Sequence, residues 1–152
     1  MKRKNLTVKR KVKRKLPKQD LKIKKFYTNF KKIIFKNIKK KRFAIAVSGG
    51  SDSLCLAYLS KMYSSEFRNK IDVLIIDHKL RSESSKEAVK VKNILKTKKI
   101  KAKILSWAGP VPTKNIQSSA RNIRYSLISN YFLKKNIKFL ITGHHMDDQI
   151  EN

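Results

Sequence analysis

Ala44-Ile45-Ala46-Val47-Ser48-Gly49-Gly50-Ser51-Asp52-Ser53-Leu54 is an apolar run that stops at two glycines and restarts in a helical pattern. Residues 44–47 read as a buried strand, and the residues from Leu54 to Tyr63 as a helix. Gly49 and Gly50 have no Cβ, so both are expected to reach positive φ and let the backbone approach an oxyanion closely. The helix that follows offers N–H groups and the positive end of its dipole. Ser48, Ser51 and Ser53 add hydroxyl donors. Asp52 does not suit a simple phosphate cradle, because a carboxylate repels phosphate unless a divalent cation such as Mg²⁺ lies between them. The stretch therefore predicts a site for pyrophosphate plus metal. The plain alternative is a strand-turn-helix connection with Asp52 as helix cap. A Walker A loop is excluded, since no lysine follows the glycines at the required spacing, and G-x-G-x-x-G is absent.

Outward from this turn the pattern alternates. Strands are expected at Ile71–Asp77, Ala102–Trp107 and Phe139–Thr142, with helices at Ser84–Lys98 and Ile116–Leu133 and a Pro-containing loop from Gly109 to Asn115. Alternating strands and helices imply an α/β fold, a parallel sheet with helices on both faces. In such sheets ligands sit beyond the carboxyl ends of the strands. Ser48–Ser53, Asp77-His78, Ser106-Trp107 and Gly143-His144-His145 all fall at those ends, so one crevice is expected to receive them.

The chain has 152 residues and a net charge of +29, from 39 Lys or Arg and ten Asp or Glu. That length suits one core. Twenty of the basic residues but only one acid, Asp20, lie in the first 42 positions. A polyanionic partner and the codon drift of an A/T-rich genome account equally well for the charge itself, though drift does not explain the exclusion of acids from the first 42 positions. Residues 1–20 read as a disordered basic arm and 21–40 as a basic amphipathic helix with Phe26, Phe30, Ile33, Ile34 and Ile38 on its apolar side. Residues 41–152 form the expected domain. No run approaches the roughly 20 apolar residues of a membrane span, and the arm lacks the apolar core and cleavage site of a leader. A cytoplasmic protein with no membrane partner is expected. The one cysteine, Cys55, excludes an intrachain disulfide and reads as a core residue.

Three further strings carry chemistry. Asp77-His78-Lys79-Leu80-Arg81-Ser82 follows a strand and precedes a helix, and by itself is equally a strand-end turn. In Gln117-Ser118-Ser119-Ala120-Arg121-Asn122-Ile123-Arg124-Tyr125, Gln117, Arg121 and Arg124 fall within reach of one helix face, where arginines pair with phosphates or simply form a solvated basic face. In Gly143-His144-His145-Met146-Asp147-Asp148-Gln149-Ile150-Glu151-Asn152, a helix starting near His145 would project His144, Asp148 and Glu151 to one side, as a metal or substrate site requires. Zinc fits poorly, since the H-E-x-x-H arrangement is missing.

Ser48-Gly49-Gly50-Ser51-Asp52-Ser53 resembles the PP-loop of ATP pyrophosphatases, a Rossmann-like, adenine nucleotide alpha hydrolase-like fold. Together with D-H-x-L-R-x-x-S, Q-x-x-A-R-x-x-R-Y and H-H-x-D-D-Q-x-E, the chain from about residue 40 to 152 resembles the tRNA(Ile)-lysidine synthetase family. That resemblance implies a ligase using ATP and Mg²⁺ to adenylate the wobble cytidine of tRNA(Ile) with a CAU anticodon, after which free L-lysine displaces AMP. It implies that Ser48, Gly49, Gly50, Ser51, Asp52, Ser53, Asp77 and His78 bind the nucleotide, and that Asp52 and Asp148 hold the metal. His144, Asp148, Asp52 and Arg124 would be catalytic, while Gln117, Arg121, Arg124 and Glu151 would contact substrates, Glu151 taking the cationic lysine. A homodimer is a candidate assembly. Asn152 stands where the family usually has threonine, and the family continues beyond it, so an incomplete catalytic domain is expected. The competing readings are a PP-loop tRNA 2-thiolation enzyme, which normally needs more cysteines, and a nucleotide- or RNA-binding module without catalysis.

Overall fold

The computed structural model describes residues 21–112 and 114–143, with only the main chain of residues 21 and 22. The elements are α1 (Leu21–Asn37), β1 (Phe43–Ala46), α2 (Ser51–Phe67), β2 (Ile71–Asp77), α3 (Ser84–Thr97), β3 (Ala102–Ser106), α4 (Ile116–Lys135) and β4 (Leu140–Thr142). The strands form one parallel sheet in the order β3-β2-β1-β4. Ala44 pairs with Asp72 on one side and Leu140 on the other. The chain thus steps outward from β1 through β2 to β3, then returns through α4 to the opposite side of β1. That reversal is the topological switch point, where a crevice opens at the strand ends.

Successive side chains along a strand alternate between faces, and the two faces have separate cores. Phe43, Ile45, Val47, Val73 and Ile75 pack against α1, α2 and α3, whereas Ala44 and Leu74 meet Ile137 and the α4 side chains Tyr131 and Phe132. Tyr63 is fully buried, edge-on to Phe30 and Phe43, with Phe67 beside it at 4.5 Å between ring centroids. Burying one such ring contributes about 1.5–3 kcal/mol. The Tyr63 hydroxyl donates to the Lys39 carbonyl at 2.7 Å. No described helix is long and apolar enough to cross a membrane.

Two expectations about burial change. On α1 the covered stripe is Tyr27, Phe30 and Ile34, continued by Ile38 just past the helix end, while Phe26 and Ile33 are 67% and 60% exposed. Tyr27 takes the inner position because its hydroxyl reaches Glu66 of α2, which Lys31 also contacts at 3.0 Å. Cys55 is exposed rather than in the core. The buried face of α2 runs through Ser53, Ala57 and Ser60, at three- to four-residue steps, and Cys55 lies off that line.

At the amino-terminal ends of the strands, Arg42 holds Asp72 with two hydrogen bonds of 2.7 and 3.0 Å, and the Tyr131 hydroxyl donates to the same carboxylate at 3.3 Å. The cluster ties β1, β2 and α4 together. The pair is partly solvated, which limits its contribution, so Arg42→Ala should cost about 1 kcal/mol. For a domain of this size that is about 2–5 °C in melting temperature, and an unchanged thermal unfolding curve would refute the estimate.

Candidate nucleotide site

The turn after β1 is shaped by one glycine, not two. Gly49 has φ +99°, and a Cβ there would lie 2.5 Å from Cγ2 of Val91 on α3. Gly50, expected to share the positive φ, instead has φ −67° and ψ 160°, extended backbone open to any residue. Gly50 is the N-cap of α2 and has no side chain to bond the first turn. That end of the helix therefore faces the cavity with its N–H groups uncapped by a side chain, the arrangement that suits an anion.

Ser53, expected as a donor to the anion, braces the turn. It is buried, its hydroxyl donates to the Gly50 carbonyl at 2.9 Å, and it accepts the Gly49 N–H at 3.2 Å. The Ser48 hydroxyl lies 3.3 Å from that of Ser53, and the Ser51 hydroxyl donates to Asp52 at 3.3 Å. Ser48, Gly50, Ser51, Asp52 and Ser53 line a cavity of about 400 Å³. Its other walls come from the ends of β1 and β2, from His78, from the first turns of α3, from Arg124 of α4 and from Gly143 after β4.

Asp77 and His78 divide two tasks. The Asp77 carboxylate is buried and accepts the hydroxyls of Ser84 and Ser85, both at 2.7 Å, and the Lys79 N–H at 3.2 Å. Burial pushes its carboxyl up, but these hydrogen bonds outweigh burial and hold it below the ordinary value. Asp77 thus anchors the start of α3, and it is His78 that lines the cavity. Lys79 at φ +53° turns the chain so that the Leu80 N–H donates to His78 Nδ1 at 3.2 Å. That bond leaves the proton of the neutral imidazole on Nε2.

Gly143 brings the end of β4 directly onto the start of α2. A Cβ at Gly143 would lie 3.1 Å from the Ser53 nitrogen and 3.2 Å from the Asp52 carbonyl carbon, so a side chain there would push the two backbones apart by a few tenths of an ångström. Of the α4 residues, Arg124 lines the cavity, Arg121 stacks over Tyr125 at 5.7 Å, and Gln117 lies in a separate shallow hollow at the helix start. His144, Asp148 and Glu151 lie outside the described residues. The cavity also contains Arg81 and Ser84 of the D-H-x-L-R-x-x-S string, and three α3 residues that sequence reading did not single out, Glu87, Ala88 and Val91. Arg81 and Glu87 pair at 3.0 Å on its rim, and Val91 packs under Gly49. Ser84, Glu87, Ala88 and Val91 follow one another at helical spacing, a signal that would have marked this face of α3.

Among the described residues no group of three or more His, Cys, Asp or Glu side chains is placed to hold a metal. Asp52 in the lining of an anion site fits Mg²⁺, which takes one or two carboxylates, keeps several waters and completes its shell with phosphate oxygens.

The chain is similar to known proteins. The chain is 48% identical over 111 residues to a tRNA(Ile)-lysidine synthase of Orientia tsutsugamushi (strain Boryong), covering 73% of this chain and 25% of that protein. It is 40% identical over 113 residues to a tRNA(Ile)-lysidine synthase of Bartonella quintana (strain Toulouse), covering 73% and 24%. The chain therefore spans about a quarter of the length of these curated relatives. Among solved structures, a U34-tRNA thiolase from Methanococcus maripaludis with its [4Fe-4S] cluster shares the fold, with a TM-score of 0.67 at 20% identity over 82% of this chain and 48% of that one. A family model described as a PP-loop domain matches residues 18–152. Since that match takes in every described helix and every strand of the sheet, the chain belongs to the PP-loop domain family.

Proposed function

We propose that this chain is the nucleotide-binding part of a tRNA(Ile)-lysidine synthase, which uses ATP to adenylate the wobble cytidine of a CAU-anticodon tRNA and then joins lysine to it. The carrying observation is the 48% identity to a protein of that name over 111 residues, 73% of this chain. In this reading the start of α2 and the Ser48 and Ser51 hydroxyls hold the β- and γ-phosphates. Arg124 faces the α-phosphate, where charge develops as the cytosine oxygen forms its bond to phosphorus and pyrophosphate leaves. His78 offers its Nε2 proton to an acceptor on the nucleoside. The lysine amine then displaces AMP. Mg²⁺, when bound, supplies charge neutralisation at the leaving pyrophosphate. Asp52 holds it from the protein side, with Asp148 as the second carboxylate. His144 assists at the cytidine and Glu151 receives the lysine ammonium.

Pyrophosphate release from labelled ATP, with Mg²⁺, lysine and unmodified tRNA(Ile), tests the reading on this chain and on one continued past Asn152. Release in either that depends on the CAU-anticodon tRNA(Ile) is the expected result. Silence in both chains removes the ligase and favours a binding module. Asp52→Asn is expected to weaken Mg²⁺-dependent ATP binding at least about 10-fold, the loss of a charge-assisted contact. Isothermal titration with and without Mg²⁺ measures it, and equal affinity in both chains ends the assignment of Asp52 to the metal.

A further inference from the structure

Arg124 and Tyr125 are neighbours in sequence but face different surroundings. Arg124 is half-buried and lines the cavity, while Tyr125, 100° further round the helix, is 49% exposed. One turn earlier, at i−4, the Arg121 guanidinium lies over the Tyr125 ring, 5.7 Å from its centroid. A cation over the ring face holds both flat groups in register and keeps them presented at the surface. The exposed pair therefore begins where the cavity wall ends.

Its electrostatic setting is one-sided. The α4 sequence IQSSARNIRYSLISNYFLKK contains four basic residues and no acid, in a chain of net charge +29. A phosphodiester backbone meets no like charge along this helix. Single-stranded nucleic acid is recognised by this combination, a positive surface that tracks the backbone and flat side chains on which bases stack. A duplex keeps its bases stacked on one another and has none to offer to a ring.

We propose that Arg121 and Tyr125 form a stacking platform for an unpaired RNA base adjacent to the nucleotide that enters the cavity. The platform rests on the RNA-modifying reading above and adds to it a residue, Tyr125, and a selectivity for single strands over duplexes. The ring supplies the stacking surface. Arg121 orients the ring and neutralises the phosphate next to the stacked base.

The test measures binding of the full chain to a labelled single-stranded RNA heptamer containing CAU, and to a duplex of the same sequence. At about 0.3 M salt, counterion-release binding through lysines is weakened, so stacking stands out. Tyr125→Ala and Tyr125→Leu are expected to lose about ten-fold in single-strand affinity, while Tyr125→Phe stays within about two-fold and duplex binding is unchanged in all three. Thermal melts of each variant report the fold, which an exposed side chain should leave intact. Equal single-strand affinity for Tyr125→Ala and the unaltered chain would overturn the platform alone. A loss in Tyr125→Phe as large as in Tyr125→Ala would replace stacking with a hydrogen bond from the hydroxyl and overturn it too. An unaltered chain that binds neither RNA would remove the platform together with the RNA-modifying reading.

Discussion

Gly49→Ala should abolish measurable nucleotide binding and destabilise the chain by about 2–4 kcal/mol, combining the strain of a non-glycine residue at φ +99° with an overpacked contact. The added methyl would meet Val91 Cγ2 at 2.5 Å. Val91 is β-branched and 7% exposed, so it has no easy alternative rotamer. Relief has to come from the turn or from α3, and both are walls of the cavity. A loss of this size is a large share of the 5–15 kcal/mol typical of a domain. Gly50→Ala is the control, since a Cβ there has nothing nearer than Ser48 Oγ at 3.8 Å. Urea unfolding and equilibrium ATP binding of the two variants should differ widely. Indistinguishable behaviour would show that the turn tolerates a side chain at either glycine.

Asp77→Asn is the second large effect, expected to cost about 2–4 kcal/mol at neutral pH because hydrogen bonds to a charged acceptor contribute about 1.5–3 kcal/mol each and are not additive. The amide has one acceptor oxygen, and its NH₂ would face a serine hydroxyl that now donates to the carboxylate. The start of α3 would loosen, and His78 with it. The effect has a pH signature. The native carboxyl titrates below its ordinary 3.8, so its stabilisation is complete above that value and is lost as pH falls through the lower native one. Glu66, held below 4.5 against burial by the Tyr27 hydroxyl and Lys31, behaves alike. The unaltered chain should therefore lose stability steeply below about pH 4, and Asp77→Asn should flatten that slope while being weaker at pH 7. Denaturant midpoints between pH 2 and 7 measure both, and parallel curves for the two chains would refute the assignment.

The alternation of strand and helix was readable because each strand is a short apolar run bounded by turn residues and each helix has a buried stripe at its own period. Strand order was not, because nothing local in β4 states that it joins β1 rather than the outer side of β3. Within the site, the glycine pair marked the anion turn, but pattern alone treats Gly49 and Gly50 alike. Only the packing of α3 beneath the turn separates them. Asp77 shows the same boundary: a carboxylate at a strand end reads as a ligand group until the serines that claim it are in place. Phe26 and Tyr27 were exchanged on α1 because hydropathy ranks phenylalanine higher, whereas burial here follows the hydroxyl contact with Glu66. Cys55 was misplaced by treating all of α2 as apolar when its covered stripe is made of small residues.

The close approach of Gly143 to the start of α2 also sets an order in time. β1 meets β2 across a single helix, as in the pairing of Phe43 with Ile71, but its pairing with β4 waits until Leu140 has been made. Closing the longer loop costs more chain entropy and comes later during folding and synthesis. The cavity is finished only at that step, when Gly143 settles on Ser53. A nucleotide that occupies it binds chains with β4 docked in preference to those without, so by mass action it draws the last strand into the sheet and guards that edge against opening.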